Sequence, residues 1–373
     1  MISSLKESFL DYHQARGFCI YESFPLVIDD PTILFTNATI TPFKSMFMGE
    51  GERINYALVQ KCLRLGGTGG NLETPRSNMN YTSLFDMLGS GLFDVNQDSA
   101  VTYFVEVLIE LGLQKKNLVF STTYNSGFDL ALERAGISAS QIRLFNDPKE
   151  IQHEWSFGEG DLHGCGVVAW CVPESYLGHT FDSIPQELFQ YVQIGRIVHI
   201  DGVARVSTVE LFPYSAYDMG IGLNRVEAAL NGNCEMSMYP WRMLSKQLQS
   251  SIHGLYKTDA HYMANLYRVA EDLIGEGLLP GKKKHAYALR KVVRLLIEEI
   301  WLKSKALVDI YTVLRESINT SAYRDLLIQV LSQEEVALRG VLSVAIQKQK
   351  KYPGMNPEEL RSTFGIRPSL LKL

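Results

Sequence analysis

Asp218-Met219-Gly220-Ile221-Gly222-Leu223-Asn224-Arg225 is the stretch from which the rest of the chain is read. Two glycines separated by one apolar residue allow close backbone approach just where a helix begins. Asp218 stands before them and Arg225 after them. A carboxylate beside a Gly-rich turn reaches a small cation without steric obstruction. A guanidinium at a helix start can face a phosphate or lie flat on a purine. Each residue also has a plainer reading, because Asp is a favoured helix N-cap and most arginines are surface residues. A second glycine-punctuated stretch, Gln60-Lys61-Cys62-Leu63-Arg64-Leu65-Gly66-Gly67, carries Arg64. The two arginines together suggest a site that binds a nucleotide and stabilises charge on its phosphate.

Composition bounds this reading. At 373 residues the chain is long enough for two domains, each with its own core. With 46% hydrophobic and 21% charged residues it is not a disordered chain. A net charge of −5 argues against general nucleic-acid coating but leaves room for a local basic face. The five cysteines form no C-x-x-C pair, so neither a disulfide framework nor a zinc site is expected. No apolar run approaches membrane-span length and no signal-peptide pattern is present, so a reducing cytoplasm is the expected setting.

Residues 4 to 17 read as an amphipathic helix with Leu5, Phe9, Leu10 and Tyr12 on its apolar face. From about 18 to 240, short apolar runs such as Leu118–Thr122 and Gly166–Val172 read as strands. Helical stretches intervene at about 98–113, 125–136 and 222–231. Irregular mixing of this kind predicts an α+β sheet. Beyond 241 helical periodicity dominates; Leu289, Val292, Val293, Leu296, Ile297 and Ile300 fall on one face. The expected division is therefore a domain over 1–240 and an all-helical domain over 241–373.

These words of sequence resemble the amino-terminal half of alanyl-tRNA synthetase, a class II aminoacyl-tRNA synthetase. The resemblance runs in order through Asp30–Ala38, Phe43-Lys44, Gln60–Gly67, Leu72-Glu73, Phe85–Gly89, Asp218–Arg225, Gly277–Pro280 and Tyr287–Lys291. It implies a mostly antiparallel class II synthetase-like sheet flanked by helices, followed by a helical tRNA-recognition domain. It implies activation of alanine or another small amino acid by ATP, with Mg2+, and transfer from the adenylate to a tRNA 3′ end. Arg64 then bridges the α-phosphate and the amino-acid carboxylate, and Arg225 stacks on adenine and faces the phosphates. Phe85 is the other adenine wall, with Glu73, Met87 and Gly222 completing the ATP site. Asp218, beside Gly220, holds the substrate ammonium. Trp155 packs near the substrate side chain, and Gln190 (or equally Gln193) stands where the family has an asparagine. For Phe85 and Trp155, a place in the core reads equally from pattern alone. Lys282, Lys283, Lys284, Arg290, Lys291 and Arg294 form an acid-free run suited to RNA phosphates, although charge runs are usually solvated turns.

Departures from the family shape two further readings. Thr68-Gly69-Gly70-Asn71 stands where the family has Lys-His-Asn-Asp, and Tyr81-Thr82 where it has paired histidines. No acid occurs at Ala169-Trp170, where the family has a glutamate, so magnesium ligands are not assigned. Asn224 replaces a glutamate, and Lys284 replaces a tRNA-reading asparagine whose paired donor and acceptor a lysine cannot reproduce. No His-x-x-x-His occurs and the sequence stops short of the family's editing and carboxy-terminal domains, so the editing domain is expected to be absent; because the carboxy-terminal region drives dimerisation in the family, a monomer is expected. The alternatives are a ligase passing its adenylate to a carrier protein or small-molecule amine, and a catalytically silent tRNA-binding paralogue.

Overall fold

Alternation of apolar and small or polar residues extends into strands that present two different faces. In the computed structural model the described residues are 2–30, 32–66, 72–77, 81–149, 153–172, 193–231, 239–352, 356, 363, 365 and 367–372. They form two compact units: Met1–Leu63 with Phe85–Ser237, and Arg64–Leu84 with Met238–Leu373.

The first unit is built on a nine-stranded sheet. Its strands are β1 (Cys19–Tyr21), β2 (Tyr56–Leu63), β3 (Leu84–Phe93), β4 (Leu118–Thr123), β5 (Ile142–Phe145), β6 (Glu154–Ser156), β7 (Leu162–Cys171), β8 (Gln193–Ala204) and β9 (Val209–Gly222). They lie in the order β1-β2-β3-β9-β8-β7-β4-β5, with β6 also on β7. The β3–β9, β9–β8, β8–β7, β7–β4 and β6–β7 pairs are antiparallel. Short β1 and β5 join their neighbours in parallel. The expected α+β sheet, dominated by antiparallel pairing, is what forms.

Helices α1 (Ile2–Gln14), α4 (Gln97–Glu110), α5 (Phe128–Arg134) and α6 (Leu223–Leu230) cover one face; α2 (Lys44–Phe47) lies in the segment before β2, and α3 (Thr74–Ser77) belongs to the other unit. Asn96 starts α4 by accepting the Ser99 N–H, which satisfies one of the unpaired donors of the first turn. Its apolar residues recur at helical spacing, and Ala100, Val101, Phe104 and Leu108 are fully buried. Each such burial of a large side chain is worth about 1.5–3 kcal/mol. Tyr217, Met219 and Ile221 of β9 join this helix-side cluster, together with Leu88, Leu92 and Ile197. Their alternates face the other way. There a second, aromatic cluster holds Phe43, Phe47, Tyr56, Phe93, Val198 and Ala216.

The second unit is helical: α7 (Tyr239–Ser251), α8 (Lys257–Gly275), α9 (Lys284–Ser304), α10 (Ile310–Thr320) and α11 (Arg324–Lys351). The six residues assigned to one face of α9 are all fully buried. Residues 72–77 and 81–84 are tied to α8 and α9 by polar contacts. Asn265 accepts the Ser83 N–H at 2.8 Å, His261 Nε2 meets the Tyr81 carbonyl at 3.1 Å, and Tyr262 donates to Glu73 at 3.0 Å. Arg76 pairs with buried Glu299. Among the described residues, no helix is long and apolar enough to cross a membrane.

Candidate active site

The pairing of β3 with β9 assembles the site in the first unit. Met87 lies opposite Gly222, Gly89 opposite Gly220 and Gly91 opposite Asp218. The two-residue period puts Phe85, Met87, Gly89 and Gly91 on the same face as Asp218, Gly220 and Gly222. That face is turned away from the helix-side cluster. Its glycines make a floor on which side chains from elsewhere in the unit lie. A side chain at Gly89 would run into buried Thr39, with its Cβ 2.2 Å from the hydroxyl. At Gly220 it would come 3.0 Å from the Met87 sulfur.

Arg225 lies in the first turn of α6, and its stem covers Gly222, where a Cβ would stand 3.2 Å from Arg225 Cδ. Its Nη1 donates to the Gln193 carbonyl at 3.0 Å. The N-cap position of α6 is Gly222. Asp218 is therefore a strand residue and not a cap, which removes the plainer reading of that carboxylate.

Asp218 is buried, and its Oδ1 has no hydrogen-bond partner among the described residues. Burial pushes its carboxyl up to about 7, while the Arg196 guanidinium pulls in the opposite direction. Arg196 sits opposite Gly220, and Val198 opposite Asp218, so the arginine and the carboxylate are diagonal neighbours across β8 and β9. Tyr56, fully buried, lies over Gly91: a Cβ there would be 2.3 Å from its ring. Burial, and then the charge of Asp218, push the phenol well above its ordinary range.

This contact makes Gly91 indispensable. The Tyr56 ring is stacked on Phe43 at 3.7 Å between centroids and has no room to yield. Gly91→Ala is expected to destabilise the fold by about 1–3 kcal/mol, as overpacking does. Chemical denaturation of the variant checks this, and an unchanged midpoint would contradict the packing described.

Six of the residues singled out from sequence thus share one sheet face or its rim: Phe85, Met87, Asp218, Gly220, Gly222 and Arg225. Trp155 is on β6, edge-on to Phe157 at 4.6 Å, and packs against the aromatic cluster. Gln190 lies outside the described residues. Arg64 and Glu73 belong to the second unit. The Arg64 backbone N–H donates to the Ser83 carbonyl at 2.8 Å, and the Glu73 carboxylate accepts from Arg76 at 3.1 Å as well as from Tyr262. Lys282, Lys283, Lys284 and Lys291 are exposed. Arg290 and Arg294 each donate an Nε–H to Glu334 at 2.9 Å.

Sequence reasoning does not single out Tyr56 or Arg196. Arg196 carries a signal: it is the single Lys, Arg, Asp or Glu in the apolar run 193–200. Tyr56 carries none, because an aromatic residue on a strand reads as core.

Among the described residues, no group of three or more His, Cys, Asp or Glu side chains is arranged to hold a metal ion. A magnesium ion accompanying ATP takes most of its ligands from phosphate oxygens and water, and no residue here is assigned to it.

A family model for class II (A) tRNA synthetases matches residues 4–337. The alanine–tRNA ligase of Ehrlichia chaffeensis is 27% identical over 314 residues, covering 81% of this chain and 35% of the relative. That of Ehrlichia ruminantium is 27% identical over 382 residues, covering 93% and 41%. The chain therefore spans well under half the length of these relatives. Among solved structures, the apo histidyl-tRNA synthetase of Staphylococcus aureus aligns with a TM-score of 0.37 and 10% identity over 61% of this chain and 66% of that one. A likeness at that level carries no weight for the assignment. The match over residues 4–337, on a chain whose antiparallel sheet carries the Asp218–Arg225 floor, establishes that this protein belongs to the class II (A) tRNA synthetases.

Proposed function

We propose that the chain activates alanine or another small amino acid with ATP and passes it from the adenylate to the 3′ end of a tRNA. The observation that carries this reading is the buried Asp218, with one carboxylate oxygen lacking a partner among the described residues, on the glycine floor that Arg225 borders. A small ammonium fits such a carboxylate.

In the reaction, a carboxylate oxygen of the amino acid attacks the α-phosphorus and pyrophosphate leaves. Both reactants are anionic, so cations fixed in advance lower the barrier most. Arg64 is assigned the α-phosphate and substrate carboxylate, and Arg225 the adenine and the phosphates. Phe85, Met87 and Gly222 line the nucleotide side of the floor in this reading, with Glu73 as a further ATP contact. Asp218 and Gly220 take the amino-acid end, with Trp155 and Gln190 near the side chain. ATP–pyrophosphate exchange measured over all common amino acids is the test; no exchange with any of them would reject the proposal.

Transfer to tRNA is supported by the exposed Lys282, Lys283 and Lys284 at the start of α9, with Lys291 one further cation. Changing the three consecutive lysines to alanine is expected to weaken retention of bulk tRNA in a gel by about tenfold or more. It should also flatten the salt dependence, since each phosphate contact contributes about 0.9 to the slope. Equal retention by the variant would rule these lysines out. A non-tRNA acceptor, a carrier protein or a small-molecule amine, is the second reading. One observation leans that way: Arg290 and Arg294 already share the Glu334 carboxylate, which leaves less of their charge for RNA phosphates. Charging assays with bulk tRNA decide between the two.

A further inference from the structure

We propose that the Tyr56 hydroxyl is a second acceptor for the ammonium of the substrate amino acid, acting beside Asp218. The inference rests on the reading of Asp218 as the ammonium site and extends it to a residue on another strand.

Tyr56 opens β2, and its ring lies directly on Gly91 of β3, with Cε1 and Cζ at 2.3 and 2.8 Å from where a Cβ would stand. Gly91 is the Cα partner of Asp218 on β9. The Cε1 edge of the ring is therefore the part lying over Gly91, with Cδ1 at 2.9 Å on one side and Cζ, which carries the hydroxyl, on the other. The ring is held by stacking on Phe43 and by an edge contact with Phe47. It has no freedom to swing away.

Both oxygens are unsatisfied. Neither Tyr56 Oη nor Asp218 Oδ1 has a hydrogen-bond partner among the described residues, and both side chains are buried. Buried polar groups are almost always paired, and a buried oxygen left alone destabilises the fold. Two such oxygens, each on a residue set against Gly91 and one of them a carboxylate, suit a donor with more than one N–H and a positive charge. A primary ammonium has three N–H groups. One can be accepted by Asp218 and a second by the Tyr56 oxygen, which keeps its own proton. An uncharged hydroxyl has one donor and cannot serve both.

The ring provides all of the packing, so Tyr56→Phe would leave the core intact and remove an unsatisfied oxygen. The variant should fold with wild-type or higher thermal stability on either account, which separates the ring from the hydroxyl.

The test is calorimetric titration of the full chain with L-alanine, glycine, L-serine and the other common amino acids in turn. Each is compared with the acid of the same side chain bearing hydrogen in place of the amine. Wild type is expected to bind an amino acid and to bind its deaminated counterpart at least tenfold more weakly. Tyr56→Phe is expected to lose about tenfold in affinity for the amino acid, the size of one hydrogen bond to a charged group, with ATP affinity unchanged. In exchange assays the same variant should raise KM for the amino acid and leave KM for ATP alone. Wild-type amino-acid affinity in Tyr56→Phe would overturn the inference. So would equal binding of the deaminated acids, or no amino-acid binding by the wild-type protein. Intact amino-acid binding without exchange would instead reject the proposed activity and leave the ammonium site standing.

Discussion

Arg64→Ala is expected to lower amino-acid-dependent ATP–pyrophosphate exchange by about three orders of magnitude. Removing one preorganised group that stabilises transition-state charge costs about 2.7–4 kcal/mol in other enzymes. An arginine that contacts both the α-phosphate and the attacking carboxylate contributes positioning as well. Lysine restores the charge but not the planar fork that holds two oxygens at once, so Arg64→Lys should recover only part of the rate. The check is the exchange rate at saturating ATP and amino acid, with thermal unfolding confirming that the variant is folded. Exchange at the wild-type rate in a folded Arg64→Ala protein would end the assignment of this residue.

Asp218→Asn should have two opposite consequences. Loss of the carboxylate removes the counter-charge for the ammonium, and KM for the amino acid is expected to rise about 100-fold, equivalent to about 3 kcal/mol. Stability moves the other way, and its sign follows from the raised carboxyl. In the unfolded chain an aspartate loses its proton near pH 4; in the folded protein Asp218 keeps it up to about 7. Between those values the folded state holds the extra proton, so wild-type stability falls as pH rises from about 4 to about 7 and stays low above that. Asparagine has no such dependence. The variant should therefore be more stable than wild type at pH 8, by on the order of 2–4 kcal/mol, with the gap closing towards pH 4. Urea unfolding at pH 5 and pH 8 measures it. The ammonium needs the ionised form, so amino-acid affinity in the wild type should weaken about tenfold for each pH unit below about 7. A pH-independent affinity would contradict this.

Much of this was legible in the residues. The glycines of β9 and the apolar alternation of Tyr217, Met219 and Ile221 specify a strand with one glycine-rich face and one packed apolar face. The spacing of Leu289 to Ile300 specifies the buried side of α9. Asp218 and Arg225 could be singled out because charged groups beside glycines leave a local mark. Tyr56 was not, because its role depends on which strand lies next to β2 and on the absence of a side chain at Gly91, 35 positions along the chain. Pairing at that distance has no signature in a local window. The fates of Arg290 and Arg294 were hidden for the same reason: Glu334 is supplied by α11, whose neighbours are a matter of tertiary packing.

The chain leaves the sheet-bearing unit after Leu63, spends residues 64–84 in the helical one, and returns at Phe85. Cutting at Ser237 would thus remove more than a set of C-terminal helices. It would strip Asn265 from Ser83, His261 from Tyr81 and Tyr262 from Glu73, leaving the excursion that begins with Arg64 unsupported. A minimal fragment that keeps Arg64 in place cannot be made by trimming the C-terminal half; the segment bearing this arginine is anchored by a helix encoded about two hundred residues downstream.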